Sequence, residues 1–183
     1  MLRDIPDDWQ HDDMARAIEF CRQRDLAIDC GAHRGVVTRF LAQNFAKVVA
    51  IEPSELADQI TDAMIVRACL GDKPGSCGME HGKHNTGQRH VVAGDEYPII
   101  TLDSLELAPD FVKIDVEGME WHTLMGGEHT IRTHRPVVIF EENGLNRRYG
   151  IADGQVGALL ESWGMRRVLV TRKGSDEDWV YVF

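Results

Sequence analysis

Apolar residues along this chain follow two alternating patterns. Compact apolar blocks, LAIDCG (26–31), KVVAIEP (47–53), MIVRACL (64–70), FVKIDV (111–116) and PVVIFEE (136–142), have the length and β-branching of buried strands. Between them the apolar positions recur at helical spacing. In DDMARAIEFCRQR (12–24), Met14, Ala17, Ile18 and Cys21 make one stripe, and GVVTRFLAQNF (35–45) repeats the pattern. SELADQITDA (54–63) opens with Ser54 at an N-cap position, and further helices are predicted from about Met119 to Thr133 and over 153–163. Two last strands, RRVLVTRK and DWVYVF, flank KGSDED and read as a hairpin.

Strands alternating with helices predict an α/β fold, a mostly parallel sheet with helices on both faces, to which the terminal hairpin adds one antiparallel strand. At 183 residues the chain is expected to form one domain, 1–183, with a helix in residues 1–25 ahead of the first core strand. One stretch breaks the rhythm. Residues 71–98 are rich in Gly, His and Lys and short of large apolar side chains. They predict an excursion over one edge of the core, for which a hairpin is one form.

Composition narrows the functions. The chain is 43% hydrophobic and 27% charged, as globular domains are, and its 30 acidic against 20 basic side chains leave a net charge of −10. That field repels phosphate backbones and no dense Lys/Arg run offsets it, so no nucleic-acid partner is expected. No apolar run is long enough to span a bilayer, and MLRDIPDDWQHDD lacks the apolar stretch of a signal peptide. The expectation is a cytoplasmic protein without membrane insertion. Cys21, Cys30, Cys69 and Cys77 form no CxxC pair and read as reduced thiols. Homo-oligomers stay open.

The chemistry gathers at strand ends. Asp29, Glu52, Asp115 with Glu117, and Glu141 with Glu142 close four separate strands, at the rim where open α/β sheets bind ligands. After the first strand comes DCGAHRG, in which Gly31 and Gly35 let the backbone bend and a ligand approach. About twenty residues beyond the first glycine stands Glu52, at the spacing where an acid takes ribose hydroxyls. These parts together point to a nucleoside cofactor. A dinucleotide loop wants a central glycine where this chain has His33, so S-adenosylmethionine fits better: a ribose for Glu52 and an ammonium for nearby acids.

AIDCGAHRG, VVAIEPS, TLDSL, VKIDVEGMEWHTLMGG and RPVVIFEE, in that order, resemble the FkbM family of S-adenosylmethionine-dependent methyltransferases over roughly residues 26–142. The resemblance implies the seven-stranded, Rossmann-like class I methyltransferase fold. It also implies O-methylation of a hydroxyl on a sugar, glycan or natural product, so the expected partner is a small-molecule or glycan acceptor. The family's loop commonly has Asn where this chain has His33. The candidate cofactor residues are Asp29, Gly31, Ala32, His33, Gly35, Thr38, Glu52, Pro53, Ser54, Cys69, Leu70 and Asp115, with the adenine passing residues 68–70.

For the acids after the fourth block, helix capping competes with catalysis. A cap needs one acid, and Glu120 suits it, which leaves Asp115 and Glu117 for the reaction. Glu117 is the first choice for the base that takes the acceptor's proton, Asp115 the second, and His122 a weaker candidate. Only one of Glu141 and Glu142 can face the pocket by alternation. Converging carboxylates leave Mg²⁺ possible without predicting it. Cys77, His81, His84 and His90 do not have a zinc spacing, and with HNTG (84–87) the excursion is read as acceptor contact. Trp121, Trp163 and Trp179 are expected in the core or an interface. Competing readings are a non-catalytic binding module on the same fold and a nicotinamide-dependent oxidoreductase.

Overall fold

The computed structural model of the chain describes residues 11–82, 85–173 and 176–183, and the side chains of all these except 81–88 and 172–176. Its centre is a seven-stranded sheet of β1 (Leu26–Cys30), β2 (Lys47–Ile51), β3 (Met64–Val66), β7 (Phe111–Ile114), β8 (Val137–Glu142), β9 (Arg166–Lys173) and β10 (Asp176–Val182). The spatial order is β3-β2-β1-β7-β8-β10-β9, and β10 alone runs antiparallel to its neighbours. Strand order reverses at β1, which pairs in parallel with both β2 and β7.

Alternation along the strands builds two cores. Ile28, Val112, Ile114, Val138 and Phe140 face Leu124, Ile131, Val156 and Leu160, which come from α3 (Glu120–Met125), α4 (Glu128–His134) and α5 (Gln155–Ser162). Their strand neighbours Ala27, Phe111, Val137 and Ile139 face Met14, Ala17, Val37 and Leu41 on α1 (His11–Ile18) and α2 (Val36–Ala42). Both faces are covered, which is why the strands read as continuous apolar runs rather than as alternating ones.

Several elements differ from expectation. The N-terminal helix ends at Ile18, well short of residue 24. The predicted third strand is cut at Arg67, whose guanidinium donates to the Ser54 carbonyl and pairs with Asp58. Beyond it β4 (Cys69–Leu70) leaves the main sheet to pair with β6 (Asn85–Ile100), which also pairs with β5 (Gly75–Gly82). The excursion is therefore a long hairpin with one added strand. Residues Glu55–Gln59 form a 3₁₀ turn instead of a helix, although Ser54 caps it as expected by accepting from the Leu56 N–H.

The helix expected from Met119 to Thr133 breaks into α3 and α4 at Gly126–Gly127. The break is tertiary in origin. A Cβ on Gly126 would lie 2.0 Å from the Gly71 carbonyl oxygen, and one on Gly127 would lie 2.7 Å from Leu102. Asp103, from the loop before β7, caps the new helix by accepting from the His129 and Thr130 N–H groups. Gly126→Ala is expected to cost about 1–3 kcal/mol, since backbone meets backbone there and one of them has to shift. Denaturant unfolding of the variant beside the wild type measures it, and an unchanged midpoint would count against this packing.

Candidate active site

The floor of the site is the meeting of two strand ends. Gly31 has φ +81°, and a Cβ on it would sit 1.8 Å from the Asp115 carbonyl oxygen. Only a glycine permits that approach. The Gly31 and Ala32 N–H groups both donate to the Ile51 carbonyl, while Asp115 N–H donates to the Cys30 carbonyl, so β1, β2 and β7 are laced together at one level. Gly35, also at φ +81°, packs against Ile60 where α2 begins.

Beneath the loop lies a buried charge network. Asp29 is fully enclosed: one oxygen accepts the Thr38 hydroxyl at 2.6 Å and the other lies 3.2 Å from the Lys113 ammonium. Lys113, itself enclosed, donates to the Gly31 carbonyl at 3.2 Å and lies 3.4 Å from Asp115. Burial works against its charge, but Asp29 and then Asp115 overcome it and hold Lys113 well above the ordinary lysine range. Asp115 keeps a side-chain exposure of 24%, so its carboxylate alone of the pair reaches solvent.

On the β2 side, Glu52 is buried and its carboxylate gathers the Ser54 N–H (3.0 Å), the Ser54 hydroxyl (2.5 Å) and the His33 N–H (3.0 Å). It thereby ties the glycine loop to the turn after β2. His33 stands at φ +51°, with burial pushing its imidazole below the usual range. Cys69 and Leu70 are buried beside this edge, and the Cys69 and Cys77 sulfurs lie 3.3 Å apart as free thiols, both pushed upward, chiefly by burial.

On the β7 side, the acids divide by environment. Glu120 is fully buried: one oxygen accepts from the Val116 and Gly118 N–H groups, and the other accepts the Asn146 amide at 2.7 Å. It shapes the 116–118 loop instead of capping the helix as expected, since the N-cap of α3 has no side-chain hydrogen bond. Glu117 is held there at φ +55°, and Gly118 presses against the Leu145 carbonyl. Burial, then the charges of Asp115 and Glu120, push the half-buried Glu117 carboxyl up to about 8. Glu120 rises to about 7 through burial, opposed by its hydrogen bonds.

The hairpin crosses above this rim and is moored on both sides. Arg89 of β6 pairs with Glu55 at 2.9 Å, and the Tyr149 hydroxyl donates to the Val91 carbonyl at 2.9 Å. Thus β6 runs from the turn after β2 to the turn after β8. His122 is half-buried, edge-on to Trp121 and Tyr149, and burial lowers its pKa. Glu142 turns toward Asp153 and Glu177, and Glu141 accepts from the Asn143 amide, so neither joins Asp115 and Glu117. Of the Cys/His set, Cys77 points inward to Cys69 and His90 lies 3.6 Å from Glu80, while the side chains of His81 and His84 and those of HNTG lie outside the described residues. Trp121, Trp163 and Trp179 pack against the larger core.

Three contributors had not stood out in the sequence: Lys113, Asn146 and the Arg89–Tyr149 moorings. Lys113 carried a usable signal, a charge in the middle of FVKI two positions before Asp115 and so on the same strand face. Asn146 meets Glu120 across 26 positions and carried none.

A sheet of this order, with its loops and acids converging where the order reverses, defines a class I methyltransferase fold. Residues 29–167 match the model of the methyltransferase FkbM domain, and the chain belongs to that family, whose cofactor is S-adenosylmethionine. No curated protein matches. Among solved structures, methyltransferase FkbM from Methylobacillus flagellatus KT is similar at 17% identity and TM-score 0.59, covering 88% of this chain and 44% of its own. The chain thus spans less than half the length of that protein. A ribosomal protein L11 methylase from Lactobacillus delbrueckii subsp. bulgaricus is similar at 11% identity and TM-score 0.58, covering 92% of this chain and 74% of its own. A Streptococcus mutans protein described as a methyltransferase, in complex with SAH, is similar at 9% and 0.53, covering 94% and 95%. At these identities the likeness is one of fold.

Asn146→Ala is expected to destabilise the chain by about 1–3 kcal/mol, because it strips a buried carboxyl of its side-chain donor. Chemical unfolding measures this, and a variant as stable as the wild type would show that Glu120 does not depend on Asn146.

Proposed function

We propose that the protein transfers the methyl group of S-adenosylmethionine to a hydroxyl of a sugar, glycan or natural product. The observation that supports this most directly is Glu117: a half-buried carboxyl beside Asp115 at the strand-order reversal, pushed up to about 8. A base titrating near working pH combines an available lone pair with a strong pull on the proton.

The residues present fit the cofactor. Asp115, with about a quarter of its side chain exposed, and the half-buried Glu117 beside it suit a ligand bearing a sulfonium and an ammonium. Gly31, Ala32, His33 and Gly35 would hold the methionine arm, Glu52, Pro53 and Ser54 the ribose, and Cys69 with Leu70 the adenine. Asp115 would face the cationic end. Asp29 and Thr38, bonded to each other in the interior, would support the loop without touching the ligand. When bound, S-adenosylmethionine supplies a methyl group on positively charged sulfur.

The chain's part is then positioning and proton transfer. The moored β6 strand and the Tyr149 turn orient the acceptor and keep water out, an effect that can reach roughly 7–11 kcal/mol. Glu117 accepts the hydroxyl proton as the oxygen attacks. No step of the proposal needs a divalent cation, so transfer is expected to survive excess chelator. His122, wedged between aromatic rings, is left to packing. An acidic, non-phosphate-seeking surface favours a small-molecule or glycan acceptor over nucleic acid.

Calorimetry with S-adenosylmethionine, S-adenosylhomocysteine and NAD tests the cofactor. Binding of the first two without NAD is expected, and preference for NAD would sink the reading. Transfer of labelled methyl to a panel of sugars, glycans and hydroxylated natural products tests the rest; cofactor binding without any transfer would favour the non-catalytic module. Because the base must be unprotonated, the rate is expected to climb as pH rises toward about 8 and then level. Glu117→Gln should lower it about 10²–10⁴-fold and flatten that profile, while S-adenosylhomocysteine affinity holds. A variant with the wild-type profile would remove Glu117 from the role.

A further inference from the structure

Lys113 joins two carboxylates of opposite character. Asp29 is sealed in the interior, already held by the Thr38 hydroxyl, and its second oxygen has no hydrogen-bond partner besides the charge of Lys113. Asp115 keeps about a quarter of its side chain open to solvent. The ammonium also donates to the Gly31 carbonyl, in the very residue whose Cα faces the Asp115 backbone. A lysine this deep in a strand of Phe, Val and Ile is a poor way to gain stability, since desolvating three charges offsets their attraction. A device that merely stabilised the interior would need only the sealed partner. The open one suggests a task at the ligand.

We propose that Lys113 is a positioning residue for the cofactor, acting through Asp115: it turns that carboxylate inward at one oxygen so that the other is presented to the cationic end of the cofactor, in register with the Gly31 backbone. This rests on the reading of the crevice as an S-adenosylmethionine site. Asp29 serves as the counter-charge that keeps the ammonium in place. The consequence is energetic coupling. The value of Lys113 to binding should exist only while residue 115 carries a charge to aim.

The test is a double-mutant cycle on S-adenosylmethionine affinity, read by calorimetry with wild type, Lys113→Met, Asp115→Asn and the double variant. Each single change is expected to weaken binding about tenfold or more, the size of a lost contact to a charged group, and the double variant to lie within about twofold of the weaker single. A purely interior role through Asp29 predicts another pattern: a lower melting temperature, with the losses of the two substitutions multiplying in the double variant. Multiplying losses, or a folded Lys113→Met with wild-type affinity, would overturn the proposal. Should Lys113→Met fail to fold because Asp29 is stranded, the same square built on Asp29→Asn removes that charge and gives the same reading. Failure of the cofactor reading looks different, because wild type itself would then bind neither S-adenosylmethionine nor S-adenosylhomocysteine.

Discussion

The contact between the Asp115 carbonyl and the Cα of Gly31 is the constraint from which the rest of the structure follows. It brings the carboxyl ends of β1 and β7 closer than any side chain at position 31 would permit. Three backbone bonds at the same level, from Gly31 and Ala32 to Ile51 and from Asp115 to Cys30, fix β2 alongside. The Lys113 ammonium then spans the seam. Buried ion pairs of this kind are often replaceable by apolar residues at no loss, or at a gain of about 1–4 kcal/mol, so the seam is better understood as a means of holding geometry than of holding the fold.

Once the seam is set, the remaining parts attach to it by short lever arms. Glu52 reaches from β2 to the His33 N–H and sets the left-handed turn of the glycine loop. Glu120 reaches back from α3 to the Val116 and Gly118 N–H groups and sets the second left-handed turn, at Glu117. Each acid satisfies backbone donors that a tight loop would otherwise leave bare. The hairpin is braced from both sides of this frame, through Arg89 to Glu55 and through Val91 to Tyr149. The path of β6 is thereby tied to the same rim that carries the acids.

Much of this was legible from the sequence because burial periodicity and strand-end chemistry are local signals. Four of the five apolar blocks, the single antiparallel strand and the placement of Glu52, Asp115 and Glu117 just past the strands that flank β1 needed no knowledge of distant contacts, whereas Asp29 lies sealed beneath that rim. What escaped was set at long range. The block 64–70 gives no hint that its one charged residue, Arg67, will be drawn to Ser54 and Asp58 and divert the chain into a second sheet. The helix break at Gly126 depends on Gly71, and the partner of Glu120 lies 26 positions away. Glu142 obeyed the strand-end rule but faces α5 and β10, because β8 is flanked there by an antiparallel strand whose Glu177 sits directly opposite.

Glu117 and Glu120 show how environment alone separates two identical side chains three residues apart. Glu120 is surrounded by donors on both oxygens, so its hydrogen bonds restrain the rise that burial imposes, and its lone pairs are spent on holding the loop. Glu117 has burial and two neighbouring negative charges pressing in the same direction, with Arg148 and Lys113 only partly opposing them. The first is a structural acceptor without spare capacity, whereas the second can accept a proton from outside. Pairs of carboxyls pushed to different tasks by their surroundings are a recurrent basis for acid–base work on one scaffold. The task proposed for Glu117 depends on Glu120 fixing the loop that carries it, and both depend on the Gly31–Asp115 seam that starts that loop.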